Sequence, residues 1–272
     1  MQSVLESFAM GVAVGIPLAV LARSRRSLDR GAAVLSVLFS GLYMLMGPAF
    51  FACSLAFFFS SSAVTKIGYS AKKAKGSAEK EAGRSAAQVI GAGGVAAALS
   101  ILFVAAPEAM KKQVLTAALA AISASNADTW AAEIGSLSRE RPRLITRPRV
   151  FVEPGTSGGV TLLGELGSVA GSALIALTFL LATSALGSPA SAAQLVLVFL
   201  LGWLGELLDS IIGATLQRKF YCPRCSVLTD KEVHGCGSPA KLVGGFTRIT
   251  NEVTNVIATG AVSLLGFLAA AP

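Results

Sequence analysis

Long apolar stretches alternate along the chain with short polar stretches that carry most of its charges. Five apolar stretches approach or exceed the roughly 20 residues that a helix needs to cross a bilayer, at 85–106, 114–134, 160–185, 192–212 and 253–271. Because a backbone in lipid must satisfy its own hydrogen bonds, these stretches predict transmembrane helices. A further stretch, 4–21, is followed rather than preceded by arginines, which favours a retained helix over a signal peptide.

Residues 31–64 are too long for one crossing and are interrupted at Gly47 and Pro48. Two short helices folded as a hairpin give eight membrane segments, whereas one kinked helix would give seven. The sequence therefore predicts an all-α polytopic integral membrane protein with seven to eight transmembrane helices. It forms a single membrane domain over residues 1–272, with a small cytoplasmic loop at 218–250 that contains cysteines and a histidine.

Composition and charge support a membrane protein and say how it is oriented. Apolar residues make up 53% of the chain and charged residues 14%, against about a quarter charged in soluble domains. Of the 23 lysines and arginines, all but Lys111 and Lys112 fall in four clusters, at 23–30, 66–84, 139–149 and 218–248. This asymmetry places the clusters in the cytoplasm and both termini outside, in a cell (inner or plasma) membrane. Aromatic residues do not interleave with the clusters, so no nucleic-acid partner is expected.

Several polar side chains lie near the cytoplasmic ends of predicted membrane helices, namely Asp128, Glu133, Glu206, Asp209, Asn251, Glu252 and Asn255. Ionisable residues in a membrane are costly and usually face the interior of a bundle. Two converging carboxylates, Asp128 and Asp209, would suit a hydrated Mg²⁺ ion. Glu133 is five residues from Asp128, so a regular helix would not align the two. A purely structural hydrogen-bonded network is the alternative, above all for Glu206 and Glu252.

The helix that contains Asp209 also carries Gly202, Gly205 and Gly213 at spacings of three or four residues. Residues at these spacings share one face of a helix. Small residues on such a face predict close packing against a neighbouring membrane helix.

A glycine-rich turn, Gly155 to Gly159, directly precedes a predicted membrane helix. Backbone amides of such a turn and the positive end of a helix can hold a phosphate group. The alternative is an ordinary loop. Lys66 could add a cation for the phosphate, or it could be an ordinary positive-inside anchor.

The last cytoplasmic loop contains Cys222 and Cys225, followed by His234 and Cys236. Four soft ligands at these spacings, in a loop too short for its own core, favour tetrahedral structural Zn²⁺ over free thiols. A cytoplasmic location argues against disulfides.

Five segments of the chain resemble the transmembrane protein 19 family, also called domain of unknown function 92. They are SNADTWAAEIG at 125–135, PRLIT at 142–146, PGTSGGVT at 154–161, LDSIIGATLQ at 208–217 and NEVTN at 251–255. Plant and cyanobacterial members of that family are phytyl-phosphate kinases, with CTP a favoured donor. The resemblance therefore implies an enzyme of lipid metabolism, a transferase that makes an isoprenoid diphosphate from the monophosphate and a nucleoside triphosphate.

On this hypothesis Asp128 and Asp209 hold Mg²⁺, Glu133 orients a ligand, and Lys66 and Arg143 neutralise phosphate oxygens. Nucleotide and phosphate binding would fall to Asn126, Thr129, Arg143, Gly155, Thr156, Ser157, Gly158, Gly159, Thr161, Ser210, Thr215, Asn251 and Asn255. The expected partners are the lipid bilayer, the isoprenoid phosphate and CTP or another nucleoside triphosphate.

Two other functions remain open on the sequence alone. A lipid-phosphate transporter or flippase would also use broken helices and polar groups in the membrane. A CTP-dependent cytidylyltransferase of a lipid could use the same metal and phosphate groups. The oligomeric state is undetermined, and a homodimer is one option.

Overall fold

A computed structural model describes residues 2–78 and 83–271 of the chain, and within these ranges it consists of nine helices and two small sheets. The helices are α1 Gln2–Ser24, α2 Arg30–Met44, α3 Pro48–Lys66, α4 Tyr69–Ala74, α5 Ala86–Ala105, α6 Glu108–Gly135, α7 Leu162–Ala185, α8 Ala192–Thr215 and α9 Asn251–Ala269. The predicted basic cluster at 66–84 includes Lys80, which lies outside the described residues.

Six of the described helices are long and apolar enough to cross a membrane: α1, α3, α5, α7, α8 and α9. The predicted break between α2 and α3 is confirmed, since α2 ends before Gly47 and α3 begins at Pro48. Gly47 has a φ of 97°, a conformation that glycine adopts without strain, and Pro48 takes the first position of α3, where a missing N–H costs nothing. Helix α2 has 15 residues, so it is shorter than the six.

Helix α6 is the centre of the bundle and packs against α3, α5, α7, α8 and α9. Its middle, from Ala117 to Ala127, is almost fully buried and consists mainly of alanine and serine. Small side chains allow neighbouring backbones to approach closely. The helix is 28 residues long, and because its neighbours surround it, it can carry polar side chains that a lipid-facing helix could not.

The small-residue face predicted for α8 is confirmed. A Cβ atom added at Gly205 would collide with the Cβ of Ala124 on α6, and one at Gly202 would collide with the hydroxyl of Ser123. Further along, a Cβ at Gly213 would lie 3.1 Å from the Cβ of Ser157 in the glycine-rich turn. The same face that brings α8 against α6 therefore buries Asp209.

The loops with the basic clusters meet at one end of the bundle, called here the basic end. Leu28 pairs with Arg84, Lys231 Nζ donates to the carbonyl of Gly76 at 2.9 Å, and a Cβ on Gly155 would touch Ser77. The four loops thus lie on the same side of the helices, as the charge pattern predicts.

Two of these loops contain short antiparallel strands, so the prediction of an all-α chain is correct for the helical bundle and incomplete for the loops. In the first loop, β1 Arg143–Leu144 lies between β2 Arg147–Phe151 and β3 Gly159–Val160. In the second, β4 Lys219–Cys222 lies between β5 Val227–Thr229 and β6 Lys241–Gly244. Strands of two to five residues are too short to give an alternating pattern that a sequence reader can recognise.

Candidate functional site

Three carboxylates from two helices interact electrostatically with one another near the basic end. Glu206 and Asp209 are three residues apart on the packed face of α8 and are 2% and 8% exposed. Both interact electrostatically with Asp128 on α6 and with each other. The sequence predicted that Asp128 and Asp209 converge. In the structure these two residues interact electrostatically, and Glu206 interacts with both.

Two oxygens of these carboxylates have no hydrogen-bond partner in the described residues. They are Glu206 Oε2 and Asp209 Oδ1. Three other buried side-chain oxygens of the described residues also have no hydrogen-bond partner: Ser168 Oγ, Gln217 Oε1 and Asn255 Oδ1. The second oxygen of Glu206 accepts from the hydroxyl of Ser210 at 3.0 Å. A buried polar atom without a partner costs about 1–3 kcal/mol, so these oxygens are suited to a ligand that supplies positive charge.

The surroundings of the three carboxylates fit a hydrated divalent cation better than a bare one. Among the described residues, the ligand atoms of the Cys/His cluster all lie within 4.8 Å of one another. The three carboxylates do not form such a close group. Mg²⁺ usually keeps several waters and binds one or two carboxylates directly. Asp128 also interacts with Arg84, and Asp209 with Lys219, so cationic groups border the site on two sides.

Asn126, expected to bind phosphate, is used instead to connect three helices. Its side-chain oxygen accepts from Ser60 on α3 at 3.0 Å and from Ser61 at 3.3 Å, and its nitrogen donates to the carbonyl of Gly171 on α7 at 2.7 Å. The residue is 0% exposed. A fully enclosed amide with partners on both sides holds helices together and is not accessible to a nucleotide.

Glu133, expected to orient a ligand, points away from Asp128 because α6 continues as a regular helix through both residues. Its carboxylate lies 2.6 Å from Lys72 Nζ and accepts from the hydroxyl of Thr65 at 2.9 Å. Lys72 is 0% exposed and also donates to the carbonyl of Val64 at 2.7 Å, near the end of α3. Lys72 does not stand out in the sequence, because there it is one more basic residue of a positive-inside cluster.

The glycine-rich turn packs against α8, and two of its five amides are bonded within the same loop. Thr156 N donates to the carbonyl of Glu153 at 3.1 Å, and Gly159 N donates to that of Thr156 at 2.9 Å. Gly158, with a φ of 76°, leaves no room for a side chain beside Ser210 and Ala214 of α8. The turn as described therefore does not present the open row of amides that was expected to cradle a phosphate.

A carboxylate from the last loop already sits at this turn. Asp230 accepts from Ser157 N at 2.7 Å and pairs with Lys219 Nζ at 2.5 Å, and Lys219 also donates to the carbonyl of Ser157 at 2.7 Å. Burial lowers the pKa of Lys219, an effect that the neighbouring Asp230 opposes. The pair fastens the Cys/His loop to the glycine-rich turn.

The remaining predicted residues are distributed around the basic end. Arg143 donates to the carbonyl of Pro148 and lies over the ring of Phe151, at 4.6 Å from its centre, so its guanidinium serves the local hairpin. Thr161 caps α7 by accepting from Gly164 N, and Thr215 donates to the carbonyl of Ile211 within α8. The others lie at helix ends: Lys66 exposed at the end of α3, Thr129 buried beside Asp128, and Asn251 at the start of α9, in contact with Ser157.

The Cys/His cluster has the geometry that its spacing predicted. The ligand atoms of Cys222, Cys225, His234 and Cys236 all lie within 4.8 Å of one another. The sulfurs of Cys222 and Cys236 are 3.7 Å apart, which matches the edge of about 3.8 Å in a tetrahedron with Zn–S bonds of about 2.3 Å. A hydrogen bond from His234 lowers the pKa of Cys236 to about 6, which favours the thiolate that a metal needs.

A carboxylate outside the cluster orients the histidine. His234 turns Nδ1 toward Cys236, at 3.1 Å, and its Nε2 contacts Glu153 Oε1 at 2.7 Å. Metal-binding histidines usually have such an outer partner. Glu153 belongs to the glycine-rich loop, so the cluster is joined to that loop twice, through Glu153 and through Asp230. The cluster could hold a metal ion. The part of Glu153 could not be predicted from the sequence, because it lies 81 residues before His234.

The helical bundle and its buried polar centre define the class of this chain as an integral, multi-pass membrane protein. The model of the integral membrane protein DUF92 family matches residues 13–263, and the chain belongs to that family. It is 31% identical to Protein PGR of Arabidopsis thaliana over 263 residues, which is 90% of each chain.

Two microbial relatives are also similar. An uncharacterized membrane protein of Methanocaldococcus jannaschii is 31% identical over 221 residues, covering 80% of this chain and 87% of that protein. An uncharacterized membrane protein of Synechocystis is 34% identical over 168 residues, covering 61% and 62%. No solved structure matches the chain.

Proposed function

We propose that this protein is a membrane-embedded phosphotransferase that converts a prenyl monophosphate, such as a phytyl or geranylgeranyl phosphate, to the diphosphate with CTP or another nucleoside triphosphate. The observation that carries the proposal is the interacting trio of Asp128, Glu206 and Asp209, in which Glu206 and Asp209 are buried and each has one oxygen without a partner among the described residues. Buried carboxylates in a membrane protein are costly and mark functional sites more often than structural ones. Their place near the basic end is where a soluble nucleotide can meet a lipid headgroup.

The reaction needs positioning and charge neutralisation rather than a general base. An oxygen of the lipid phosphate attacks the γ-phosphorus of the nucleotide, the bond from that phosphorus to the β,γ-bridging oxygen breaks, and the nucleoside diphosphate leaves. A phosphate monoester is already largely ionised at neutral pH, since its second pKa is about 6. The reaction therefore does not need Glu133 as a general base, and the ion pair of Glu133 with Lys72 is compatible with catalysis.

Asp209 and Glu206 would hold the Mg²⁺ ion through their unpaired oxygens, and Asp128 would complete the site directly or through water. The metal would neutralise charge on the transferred phosphoryl group. Arg84 and Lys219, which interact with Asp128 and Asp209, supply fixed positive charge beside it. The revised set of acting residues thus lies on α6, α8 and the two adjoining loops, and it no longer depends on the turn amides, Asn126 or Arg143.

Cys222, Cys225, His234 and Cys236 would bind a structural Zn²⁺ ion with four protein ligands, which leaves no open position for catalysis. Its role would be to stiffen a loop with little core of its own. Glu153 and Asp230 connect this loop to the glycine-rich turn, which packs against α8. The metal would therefore also help to fix the helix that carries Asp209.

We infer further that α2 and α6 also lie in the membrane, which gives eight membrane helices with both termini opposite the basic end. The buried position of α6 among membrane helices supports this, as does its length of about 42 Å at 1.5 Å per residue. The concentration of Lys and Arg at one end favours a cytoplasmic location for that end and for the active site.

The test is an assay of the purified protein with Mg²⁺, geranylgeranyl monophosphate and CTP or ATP labelled in the α- or γ-phosphate, followed by separation of the lipid products. A lipid diphosphate labelled from the γ-position is the expected result. Label from the α-position alone would identify cytidylyl transfer, and no lipid product with any nucleotide would favour a lipid-phosphate transporter.

Variants then connect the activity to the site. Asp128→Asn and Asp209→Asn should each lower turnover by a factor of at least about 10² while the protein stays folded in detergent, and Glu206→Gln should act in the same direction. Glu140→Gln, an exposed carboxylate in the loop after α6, is the matched control and should keep full activity. Full activity in both aspartate variants would contradict the metal assignment.

A further inference from the structure

A second site candidate lies away from the carboxylates, in a cavity of about 470 Å³ between α1, α2, α3 and α5. This volume falls in the range of about 300–1,000 Å³ that is typical of sites for small ligands. On α3 the lining runs from Ser54 to Lys66, a distance of about 18 Å at 1.5 Å per residue. The cavity therefore reaches from the interior of the bundle to the basic end.

Phe39 and Tyr43 line the inner end of the cavity, and Phe50 packs behind Tyr43. Tyr43 donates its hydroxyl to the carbonyl of Gly93 at 2.9 Å, and its ring contacts those of Phe39 and Phe50 at centroid distances of 5.7 and 5.6 Å. All three aromatic residues are at most 9% exposed. With its polar atom already bonded to the backbone, Tyr43 presents a fixed, apolar end wall, which suits the tail of a hydrocarbon chain.

The outer end of the cavity is positively charged. Its lining includes the exposed side chains of Arg25, Arg26 and Lys66. None of these three has a carboxylate partner among residues 2–78 and 83–271, whereas Lys72 and Lys219 are paired. Unpaired cations at the mouth of an apolar cavity are complementary to an amphiphile with an anionic head.

The mouth also borders the carboxylate site. Ser61 lines the cavity and donates to Asn126 of α6, and Arg84 lines the cavity while interacting with Asp128. A headgroup held at the mouth would therefore lie beside the residues to which the proposed function assigns the transfer.

We propose that this cavity binds the acceptor lipid, a single-chain isoprenoid monophosphate. Its chain lies between α1, α2, α3 and α5 with its end near Tyr43, and its phosphate is held by Arg25, Arg26 and Lys66. The modest volume favours one chain over the two of a glycerolipid. This inference deepens the proposed function and rests on it for the nature of the acceptor, but the binding itself requires neither a nucleotide nor turnover.

The experiment is photo-crosslinking in nanodiscs, without nucleotide, with a geranylgeranyl monophosphate that carries a diazirine near the end of its chain. Crosslinks mapped by mass spectrometry should fall on lining residues such as Tyr43, Phe58 and Val89, and unlabelled geranylgeranyl monophosphate should suppress them. Phosphatidic acid should not. Crosslinks spread over the exposed faces of α7 and α8, or equal suppression by phosphatidic acid, would overturn the assignment.

Two variants test the two ends of the cavity. Val89→Trp should fill it and reduce crosslinking at least tenfold, whereas Leu177→Trp, on an exposed face of α7, should not. The double variant Arg25→Ala and Arg26→Ala should weaken binding of the monophosphate at least fivefold and leave binding of the uncharged prenyl alcohol unchanged. Equal loss for both ligands would contradict the role of the arginines.

The two proposals fail in different ways. Crosslinks in the cavity with no lipid product from any nucleotide would keep the lipid site and remove the phosphotransferase. Normal turnover by Val89→Trp would keep the phosphotransferase and remove the lipid site.

Discussion

The buried ion pair between Lys72 and Glu133 gives a prediction whose size follows from the structure. Lys72 is completely enclosed, and the side chain of Glu133 is only 12% exposed. At 2.6 Å the direct attraction is about 6 kcal/mol for an effective dielectric constant of about 20, and the cost of removing both charges from water offsets much of it. The pair as a whole therefore adds little net stability, but either charge left alone is costly.

We expect Lys72→Met to lower the free energy of unfolding by about 3 kcal/mol. Removing one partner of a buried pair usually costs about 3–5 kcal/mol. The lower end applies here because Glu133 keeps its hydrogen bond from Thr65 and some contact with solvent. Methionine preserves most of the packing volume of the lysine chain, so the loss reports mainly the unpaired carboxylate.

The measurement is equilibrium unfolding in mixed detergent micelles, followed by circular dichroism. The double variant Lys72→Met with Glu133→Gln should recover all but about 1 kcal/mol of the stability, because no buried charge is then left unpaired. Lys112→Met, which removes an exposed lysine at the opposite end of α6, is the control and should change stability by less than about 0.5 kcal/mol. A double variant no more stable than Lys72→Met would refute the reasoning.

Three further predictions concern packing, docking and the metal. Gly205→Ala should destabilise the protein by about 1–3 kcal/mol, while Gly260→Ala, which has open space around it, should be neutral or stabilising; equal effects would contradict the close α6–α8 contact. Asp230→Asn should speed hydrogen exchange at the amide of Ser157. Unchanged exchange would contradict the role of Asp230 in holding the last loop against the glycine-rich turn. The protein should contain one zinc per chain, and Cys222→Ser should lower zinc content and thermal stability; unchanged metal content would remove the zinc assignment.

Features that depend on residue spacing within one segment could be predicted well. The break at Gly47 and Pro48, the small-residue face of α8 and the Cys/His cluster are each specified by neighbours in sequence. Features that depend on the rotation of one helix against another could not. Glu206 and Glu133 have similar sequence contexts, yet one joins the carboxylate site and the other pairs with Lys72.

The sequence by itself determined that the chain is a bundle of membrane helices, that its basic loops lie at one end, and that Asp128 and Asp209 lie toward that end of their helices. These follow from hydropathy, from charge asymmetry and from helical spacing, which are properties of short stretches of chain. The tertiary structure alone decided which polar atoms have hydrogen-bond partners and which do not. Asn126 and the amide of Ser157 find partners on other elements, whereas Glu206 Oε2 and Asp209 Oδ1 have none among the described residues. Each of those outcomes depends on side chains far apart in sequence, whose meeting is fixed only when the helices pack.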